Sequence, residues 1–508
     1  MKGFEALSGM EREGKHVLSH AAIYLAARGL PGIVAFLAIP VFTRLLDPGD
    51  YGRYALVVAT VTMLNALLFQ WLRLSLVRYM PAFKDDPAKL KSTLAGTTGV
   101  LILGLGLLAG AACLFPIGMT WRLVLAACWL TLAVQALFEL CCEYARSSLR
   151  PWQYMTLQLM RSSSAIVLGM TLILLGLGWW GPLIATAVGM ALAVAWCYRR
   201  DWGDVRWRVD RATLKKICMY GVPLSLTVAL ANVISSTDRF LIAGFMGEDS
   251  AGLYSVAVDF TSQTLTLLMV VINMAVFPMA VRAWENHGRQ AAQDQMRANA
   301  SLLMVVGAPS VIGMAMLAPD VAYCFLGKSF RGAAAHIIPL VALGTFLANF
   351  KAFHFDAAFQ FAHRTIYQVW IVLFVAVVNI ALNLIAIPRW GINGAVGASV
   401  LAYAISIVLT AWFGRRHFSL PFPFGAAARV LLAGGIMAVA LYPVRGYLGG
   451  LAMLGQVALG AAVYGAVLAV SNFMGLRQFI LLKVRPASRP DVTGPMTTKS
   501  AAQLVEVQ

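Results

Sequence analysis

Long apolar runs dominate the chain, and each is close to the roughly 20 residues that an α-helix needs to cross a bilayer. We count fourteen of them in 508 residues, and no link between two runs is longer than about twenty residues. The predicted spans lie near residues 18–43, 53–72, 93–117, 122–146, 154–178, 180–198, 217–244, 251–281, 300–318, 333–358, 366–388, 391–413, 427–445 and 450–474. Links this short leave no room for a folded domain outside the membrane. The predicted fold class is therefore all-α, a polytopic membrane protein of about fourteen helices.

Charge supports this interpretation and gives an orientation. Only 12% of the residues are charged, against about 25% in soluble domains. The net charge of +18 is compatible with nucleic-acid binding, but of the 40 Lys and Arg, 29 fall in segments predicted to be inside, 7 in outer links and 4 within spans. The positive-inside rule explains this bias. It predicts that both termini face the cytoplasm, and it argues against nucleic acid as a partner.

A short motif occurs twice. Residues 43–54 read TRLLDPGDYGRY, and residues 248–254 read EDSAGLY, so that Gly52 falls over Gly252 and Tyr54 over Tyr254. In both copies an acidic turn with glycine separates two apolar runs, which predicts a helical hairpin. The repeat indicates that one multi-helix unit was duplicated.

Further correspondences extend the repeat and define the predicted organisation. Glu139 and Glu143 align with Asp356 and Gln360, and the dipeptide at 180–181 aligns with that at 390–391. Two parallel, pseudo-symmetric six-helix lobes follow from this. The predicted divisions are a cytoplasmic N-terminus 1–17, an N-lobe 18–198, a basic cytoplasmic linker 199–216, a C-lobe 217–413, a helix pair 427–475 and a disordered cytoplasmic tail 476–508.

Small residues at intervals of four predict close contacts between membrane helices. Two such stripes occur, one in span twelve and one in span fourteen: Gly394, Ala398, Ala402 and Ser406, and Ala458, Ala462 and Ala466.

Ionisable residues within spans are costly, by about 2.5–3.5 kcal/mol each on insertion scales, and are therefore candidate functional residues. The cations are Arg28, Arg161, Arg239 and Lys351. Arg28 lies about ten residues into span one and is followed by Pro31, which loosens the helix. We expect Arg28 to bind an anion in a central cavity; the alternative is a structural ion pair. Arg161 and Arg239 are also close enough to span ends to reach the interface.

Span ten is the most polar of the predicted helices. Lys351 shares it with Asn349, His354, Asp356 and Gln360. A helix this polar on one side does not face lipid. Two interpretations stay open: the side chains line a cavity, or they form an internal charge-paired network.

The remaining candidates are acidic. Asp238 and Asp259 lie in spans seven and eight, and Glu139 and Glu143 in span four. Together with Asp356 and His354 they are candidates for binding a coupling cation or proton, or for serving as counter-ions of the buried cations. Glu143 is within reach of Arg146 three residues later. No nucleophile motif, phosphate loop or zinc signature occurs. Neither catalysis nor a metal centre is predicted, and the seven cysteines have no ligand spacing.

Two segments carry a family resemblance. FTRLLDPGDYGRYALV and STDRFLIAGFMGEDSAGLYSVAV resemble the polysaccharide transporter branch of the MOP superfamily, which contains the O-antigen and capsule flippases. The resemblance implies a V-shaped pair of lobes around a cationic cavity. It further implies alternating access that moves a polyprenyl-diphosphate-linked oligosaccharide between leaflets, in lipopolysaccharide or other surface polysaccharide synthesis. Arg28 matches by position the basic residue of the first helix in the relatives.

Cofactors and partners follow from the same resemblance. No cofactor is expected apart from Na⁺ or H⁺ as coupling ion, and the expected partners are membrane lipid, a polysaccharide polymerase and glycosyltransferases. Three other classes compete. A MATE-like drug exporter would favour carboxylates over buried cations in its cavity, a membrane glycan polymerase or ligase would need larger outer loops, and a scaffold would not need so many buried charges.

Overall fold

The computed structural model describes residues 29–83, 85–116, 118–203, 205, 208–362 and 364–471, and within these ranges the chain is helical without β-strands. The helices are α1 Gly29–Leu45, α2 Pro48–Leu68, α3 Gln70–Tyr79, α4 Pro87–Ala112, α5 Met119–Ser147, α6 Pro151–Leu172, α7 Trp180–Asp201, α8 Arg211–Met246, α9 Glu248–Met316, α10 Ala318–Phe325, α11 Arg331–Phe350, α12 Ala357–Phe361, α13 Ile366–His417, α14 Phe424–Leu441 and α15 Gly450–Val470. Two π-helical segments, Ile173–Leu177 and Lys351–Phe355, continue α6 and α11. The all-α membrane fold class is confirmed.

Eleven helices in the described ranges are long and apolar enough to cross a membrane. Two of them, α9 with 69 residues and α13 with 52, exceed the length of one crossing. Each is interrupted by a glycine with positive φ, Gly288 at 77° and Gly391 at 58°. Segments of spanning length lie on both sides of each glycine. The count of fourteen spans and the domain boundaries stay predictions.

Two predicted inner links are helical. After a break at Phe69, where φ is −120°, α3 continues through Arg73 and Arg78. The link 282–299 belongs to α9 on both sides of Gly288. Both segments are rich in Arg, Gln and Ala or Leu, which have high helix propensity. Polarity correctly marked these segments as outside the apolar runs, but it does not end a helix.

The buried apolar side chains form two large clusters. One joins α2 to α7 with the start of α8 and includes Phe69, Phe138 and Leu157. The other contains side chains from α8 to α15, and Phe42 and Tyr51 from the α1–α2 hairpin belong to it. The hairpin therefore connects the two halves of the chain.

The two copies of the repeated motif pack directly against each other. A Cβ added to Gly52 would clash with the carbonyl of Glu248, and a Cβ added to Gly252 would clash with the carbonyl of Pro48. The contact is reciprocal at an offset of 200 residues, as the sequence alignment of the motif predicts. Arg53 Nε lies 2.6 Å from Glu248 Oε2 across the same boundary. We call this contact between the starts of α2 and α9 the glycine seam; the charge bias predicts that it faces outward.

The structure corrects the alignment of the Trp-Gly dipeptides. Gly391 has φ 58° and ψ −139°, and the residue with matching geometry in the first half is Gly178, with φ 52° and ψ −133°. Gly181 follows Gly178 by three residues, and Gly394 follows Gly391 by three. Each of these later glycines packs against the backbone of a residue eight positions before it, Gly181 against Ile173 and Gly394 against Ala386. The offset here is 213 rather than 210, because the turn conformation depends on where glycine stands and not on the neighbouring tryptophan.

The two small-residue stripes have different outcomes. In α13 the residues Gly394, Ala398, Ala402 and Ser406 are buried, as predicted. In α15 the predicted alanines at 458, 462 and 466 are exposed, and the buried face is formed by Gln456, Gly460, Tyr464 and Leu468. The second prediction was wrong because this helix is rich in small residues all around. The large side chain of Tyr464, which donates a hydrogen bond to the Val305 carbonyl at 3.0 Å, determines the face.

Candidate functional site

Two adjoining cavities, each of about 380 Å³, lie between the halves of the chain. Both are lined by Phe42 of α1, Tyr54 of α2 and Gln263 of α9. The first extends towards α6 and α7, and the second towards α8 and α9. We call them the first and second central cavities. Such a position between repeats is where transporters bind their substrates.

The first central cavity contains a cation that has no counter-ion among the described residues. Arg161 lines it together with Tyr154 and Gln158. The Arg161 guanidinium lies 5.7 Å from the centroid of the Phe138 ring, and no carboxylate in the described ranges pairs with it. Gln158 Nε2 donates a hydrogen bond to the Tyr154 hydroxyl at 3.3 Å. An anion with hydroxyl groups would find both charge and hydrogen bonds here.

The second central cavity contains an ion pair. Arg239 and Asp259 both line it and form a salt bridge, and the Tyr51 hydroxyl donates to Asp259 Oδ2 at 3.3 Å. Asp259 is thus the counter-ion of Arg239, which belongs to the same predicted lobe rather than to the neighbouring one; a role of Asp259 in binding a coupling ion stays a prediction. The pairing also means that Arg239 brings little net positive charge to the cavity.

Asp238 lies in a different place from its neighbour Arg239, as the 100° rotation per helical residue requires. It is 2% exposed and accepts hydrogen bonds from Tyr254 at 2.8 Å, Asn383 at 2.7 Å and Ser399. It borders a smaller cavity of about 170 Å³ within the second half. The side-chain oxygens of Asn379 and Asn383 are buried, and neither has a hydrogen-bond partner among the described residues. We call these groups the Asp238 cluster; three of its oxygen-bearing side chains offer ligands that suit a hard cation.

Lys351 forms an internal pair. Its Nζ lies 3.0 Å from Asp356, and Gln368 Nε2 donates to the same carboxylate at 3.0 Å. Lys351 is 8% exposed and lies in the π-helical segment with His354, whose ring nitrogens have no hydrogen-bond partner among the described residues. The geometry corresponds to the charge-paired alternative and not to a free cavity cation. Contact between substrate and Lys351, Asp356 or His354 stays a prediction.

The carboxylates of span four are also paired. Glu139 forms a salt bridge with Arg73 and accepts a hydrogen bond from Gln135 at 3.1 Å. Glu143 pairs with Arg146 at 2.6 Å, as its spacing predicts. Arg28 lies outside the described residues, so its anion-binding role stays a prediction. No group of three His, Cys, Asp or Glu able to hold a metal ion occurs in the described ranges.

Sequence reasoning missed the neutral members of these sites. Tyr154, Gln158 and Arg161 follow the i, i+4, i+7 spacing of one helix face, and Asn379 and Asn383 are four residues apart in an apolar run. These spacings were the available signal. A search restricted to charged residues finds Arg161 but passes over the neutral side chains beside it and over the two asparagines.

Two sets of helices packed around polar central cavities form a multi-pass membrane fold. The fold is similar to the lipid II flippase MurJ in an inward closed conformation, with a TM-score of 0.74, 13% identity, and coverage of 90% of this chain and 100% of that one. It is also similar to an inward-facing multidrug MATE transporter of the MOP superfamily, with a TM-score of 0.60, 17% identity, and coverage of 78% and 98%.

The chain belongs to the polysaccharide biosynthesis protein family, whose profile matches residues 17–284. The profile of the lipid II flippase MurJ matches residues 162–467. The two matches overlap and together extend over most of the helices described above. The resemblance stated from the sequence is thereby confirmed.

Two curated relatives are more distant. A probable low-salt glycan biosynthesis flippase, Agl15 of Haloferax volcanii, is 22% identical over 324 residues, or 62% of this chain and 66% of the relative. An uncharacterized membrane protein, MJ1068 of Methanocaldococcus jannaschii, is 22% identical over 204 residues, or 40% of each chain. The chain thus spans less than two thirds of the length of either relative.

Proposed function

We propose that this protein is a flippase that moves a polyprenyl-diphosphate-linked oligosaccharide from the inner to the outer leaflet of a bacterial inner membrane, for synthesis of O-antigen, capsule or exopolysaccharide. The observation that carries the proposal is Arg161, a cation in a polar cavity between the halves that forms no salt bridge with any described residue. Arginine binds phosphate oxygens in a bidentate manner. The amide and hydroxyl groups of Gln158, Tyr154 and Gln263 suit sugar hydroxyls.

The charge of the central cavities distinguishes the proposal from a drug exporter. A carrier of organic cations needs an available carboxylate. Among the described residues, the carboxylate that lines these cavities is that of Asp259, which is paired with Arg239. Within the described ranges, the cavity charge without a counter-ion is that of Arg161, and it is positive. The family profile and the MurJ-like fold support the same choice. The proposed orientation places both termini inside, and glycosyltransferases and a polymerase are the proposed partners.

Replacement of Arg161 by Gln tests this function. Arg200, an exposed arginine at the end of α7, provides the matched control in Arg200→Gln. We expect Arg161→Gln cells to accumulate lipid-linked oligosaccharide in the inner leaflet and to lose surface polysaccharide. A lost charge-assisted hydrogen bond of about 1.5–3 kcal/mol lowers substrate affinity at least tenfold. Arg200→Gln cells should behave like wild type.

A complete deletion separates the classes of function. Glycolipid accumulation in the deletion but not in Arg161→Gln would keep the flippase and remove Arg161 from its path. Sensitivity to cationic drugs without glycolipid accumulation would instead indicate an exporter. Expression and membrane insertion of each variant are measured in the same cells.

We further propose that the Asp238 cluster binds the coupling ion, Na⁺ or H⁺. Asp238 receives three neutral donors and no salt bridge in the described ranges, so its charge is available to a cation. If Na⁺ binds, the melting temperature of the purified protein rises with NaCl relative to choline chloride, and Asp238→Asn removes the difference. If a proton is used, no Na⁺ effect appears, and the pH dependence of transport changes in Asp238→Asn. An unchanged response to both ions in that variant would contradict the assignment.

A further inference from the structure

A third large cavity, of about 500 Å³, shares no residue with the central cavities. It lies between α12, the last turns of α13 and the start of α14. Five aromatic rings line it: Phe355, Trp412, Phe418, Phe422 and Phe424. Trp412 is 52% exposed and Phe424 74%, so the cavity opens sideways at the surface of the helices. We call it the lateral cavity.

Three arginines surround this apolar space. Arg415 lines the cavity, and the Arg289 guanidinium lies 5.2 Å from the centroid of the Phe418 ring. Arg416 lies 4.4 Å from the centroid of Trp412. All three are exposed, and no salt bridge to any of them occurs in the part of the chain that the structure describes. An apolar space beside uncompensated positive charge fits an amphiphile with an anionic head.

A buried hydroxyl points to the same kind of ligand. Thr410 lines the lateral cavity, is 1% exposed, and its Oγ1 has no hydrogen-bond partner among the described residues. A buried polar group without a partner is costly. A ligand with an acceptor below its charged head, such as an ester carbonyl, would satisfy it.

We propose that the lateral cavity binds one anionic glycerophospholipid. An acyl chain lies along the aromatic wall, and the phosphate contacts Arg415 and Arg289. Basic pockets between membrane helices bind anionic lipid head groups in this manner. The arginines lie at the end of the helices where the charge bias predicts the cytoplasmic leaflet. The separation from the central cavities favours a membrane phospholipid over the lipid of a transported substrate.

Native mass spectrometry of the purified full-length protein tests the site. The probes are phosphatidylglycerol, which is anionic, and phosphatidylcholine, which is zwitterionic with the same chains. We expect wild type to retain one phosphatidylglycerol in preference to phosphatidylcholine. The double variant Arg289→Gln/Arg415→Gln should lose about 30-fold of that preference, from the contribution of two basic side chains near an anionic lipid.

The matched control is Arg199→Gln/Arg200→Gln. These arginines also end a helix, and Arg200 lies 5.4 Å from the centroid of Trp196, but neither lines the lateral cavity. The control should retain the preference. Ala411→Phe, which places a ring in the cavity, should reduce retention of both lipids.

Three results would overturn the proposal. The first is an equal loss of preference in the control pair, which would show unspecific attraction to basic surfaces. The second is retention of both lipids by Ala411→Phe with an unchanged melting temperature. The third is displacement of phosphatidylglycerol by an equimolar polyprenyl diphosphate, which would assign the cavity to that lipid.

Discussion

Replacing Gly252 by alanine should open the glycine seam. The new Cβ would lie 2.9 Å from Gly52 N and from the Pro48 carbonyl carbon, and closer still to the Pro48 oxygen. Ordinary contact begins near 3.4 Å. The obstructing atoms are backbone, so no side-chain rotation relieves the clash. The Pro48 oxygen lies so close to the new Cβ that α2 and α9 must separate by about 1 Å or more to bring this contact to 3.0 Å. Overpacking of this kind costs about 1–3 kcal/mol.

That cost falls only on conformations in which the seam is closed. It should therefore shift the equilibrium towards seam-open states by about 5- to 150-fold, at 1.4 kcal/mol per factor of ten. Disulfide formation between Arg53→Cys and Glu248→Cys reports the closed seam, because these side chains now form an ion pair at 2.6 Å. The seven native cysteines are first replaced. The initial rate of cross-linking should fall in proportion to the closed population.

Gly313→Ala is the matched control. It lies in the same helix, α9, and its Cβ would meet no atom within 4 Å. It should cross-link at the rate of the parent. If Gly252→Ala cross-links as fast as Gly313→Ala, while both insert normally, the seam does not depend on the glycine contact and the reasoning is refuted.

Three further predictions concern stability. Gly391→Ala should lower the melting temperature, because alanine at φ 58° introduces about 1–3 kcal/mol of backbone strain. Gly397→Ala in the same helix, with open space around its Cβ, should leave the melting temperature unchanged. Equal melting temperatures of the two variants would exclude strain at Gly391. Lys351→Met should destabilise by about 3–5 kcal/mol because it leaves Asp356 buried without its cation, and additional replacement of that aspartate by leucine should restore much of the loss in a double-mutant cycle. The pKa of the Asp210 carboxyl lies below its ordinary value because the hydroxyl and backbone N–H groups at the start of α8 hydrogen-bond to it, so its stabilisation is present at neutral pH and lost as pH falls through the lowered pKa. The melting-temperature difference between wild type and Asp210→Asn should accordingly shrink below about pH 4, and a difference that is constant with pH would contradict this.

The sequence predicts the features that depend on local cost. A charge in an apolar run is expensive, so it indicates burial or pairing, and Arg161 indeed lies in a central cavity while Glu143 pairs with Arg146. Gly52 and Gly252 are informative because the residues around them also match between the two copies of the motif. These matching segments carry the family resemblance, so the MOP-like fold can be expected from the sequence.

Features that depend on relative position could not be predicted. The residues near Lys351 in the sequence are compatible both with a cavity-lining cation and with an ion pair to Asp356. The π-helical turn brings Lys351 Nζ to 3.0 Å from the Asp356 carboxylate, and this geometry distinguishes the two interpretations. The buried face of α15 depends on which large side chain meets α9 and α14, and not on the spacing of its alanines. A neutral asparagine costs less free energy in a membrane helix than a charged residue does. Composition therefore does not single out Asn379 and Asn383 as members of the Asp238 cluster.

The reciprocity of the glycine seam has a consequence for the ancestry of the chain. An isologous interface joins identical surfaces, so each residue on the two-fold axis meets its own copy. Gly52 against the Glu248 carbonyl and Gly252 against the Pro48 carbonyl form such a pair within one polypeptide. A homodimer of a half-length ancestor would have placed the same glycine on both sides of this interface. A single substitution of that glycine would then disrupt both symmetry-related contacts. Fusion of two such copies would release that constraint, so that Arg53 and Glu248 form an ion pair while their counterparts at offset 200, Leu253 and Pro48, carry no charge.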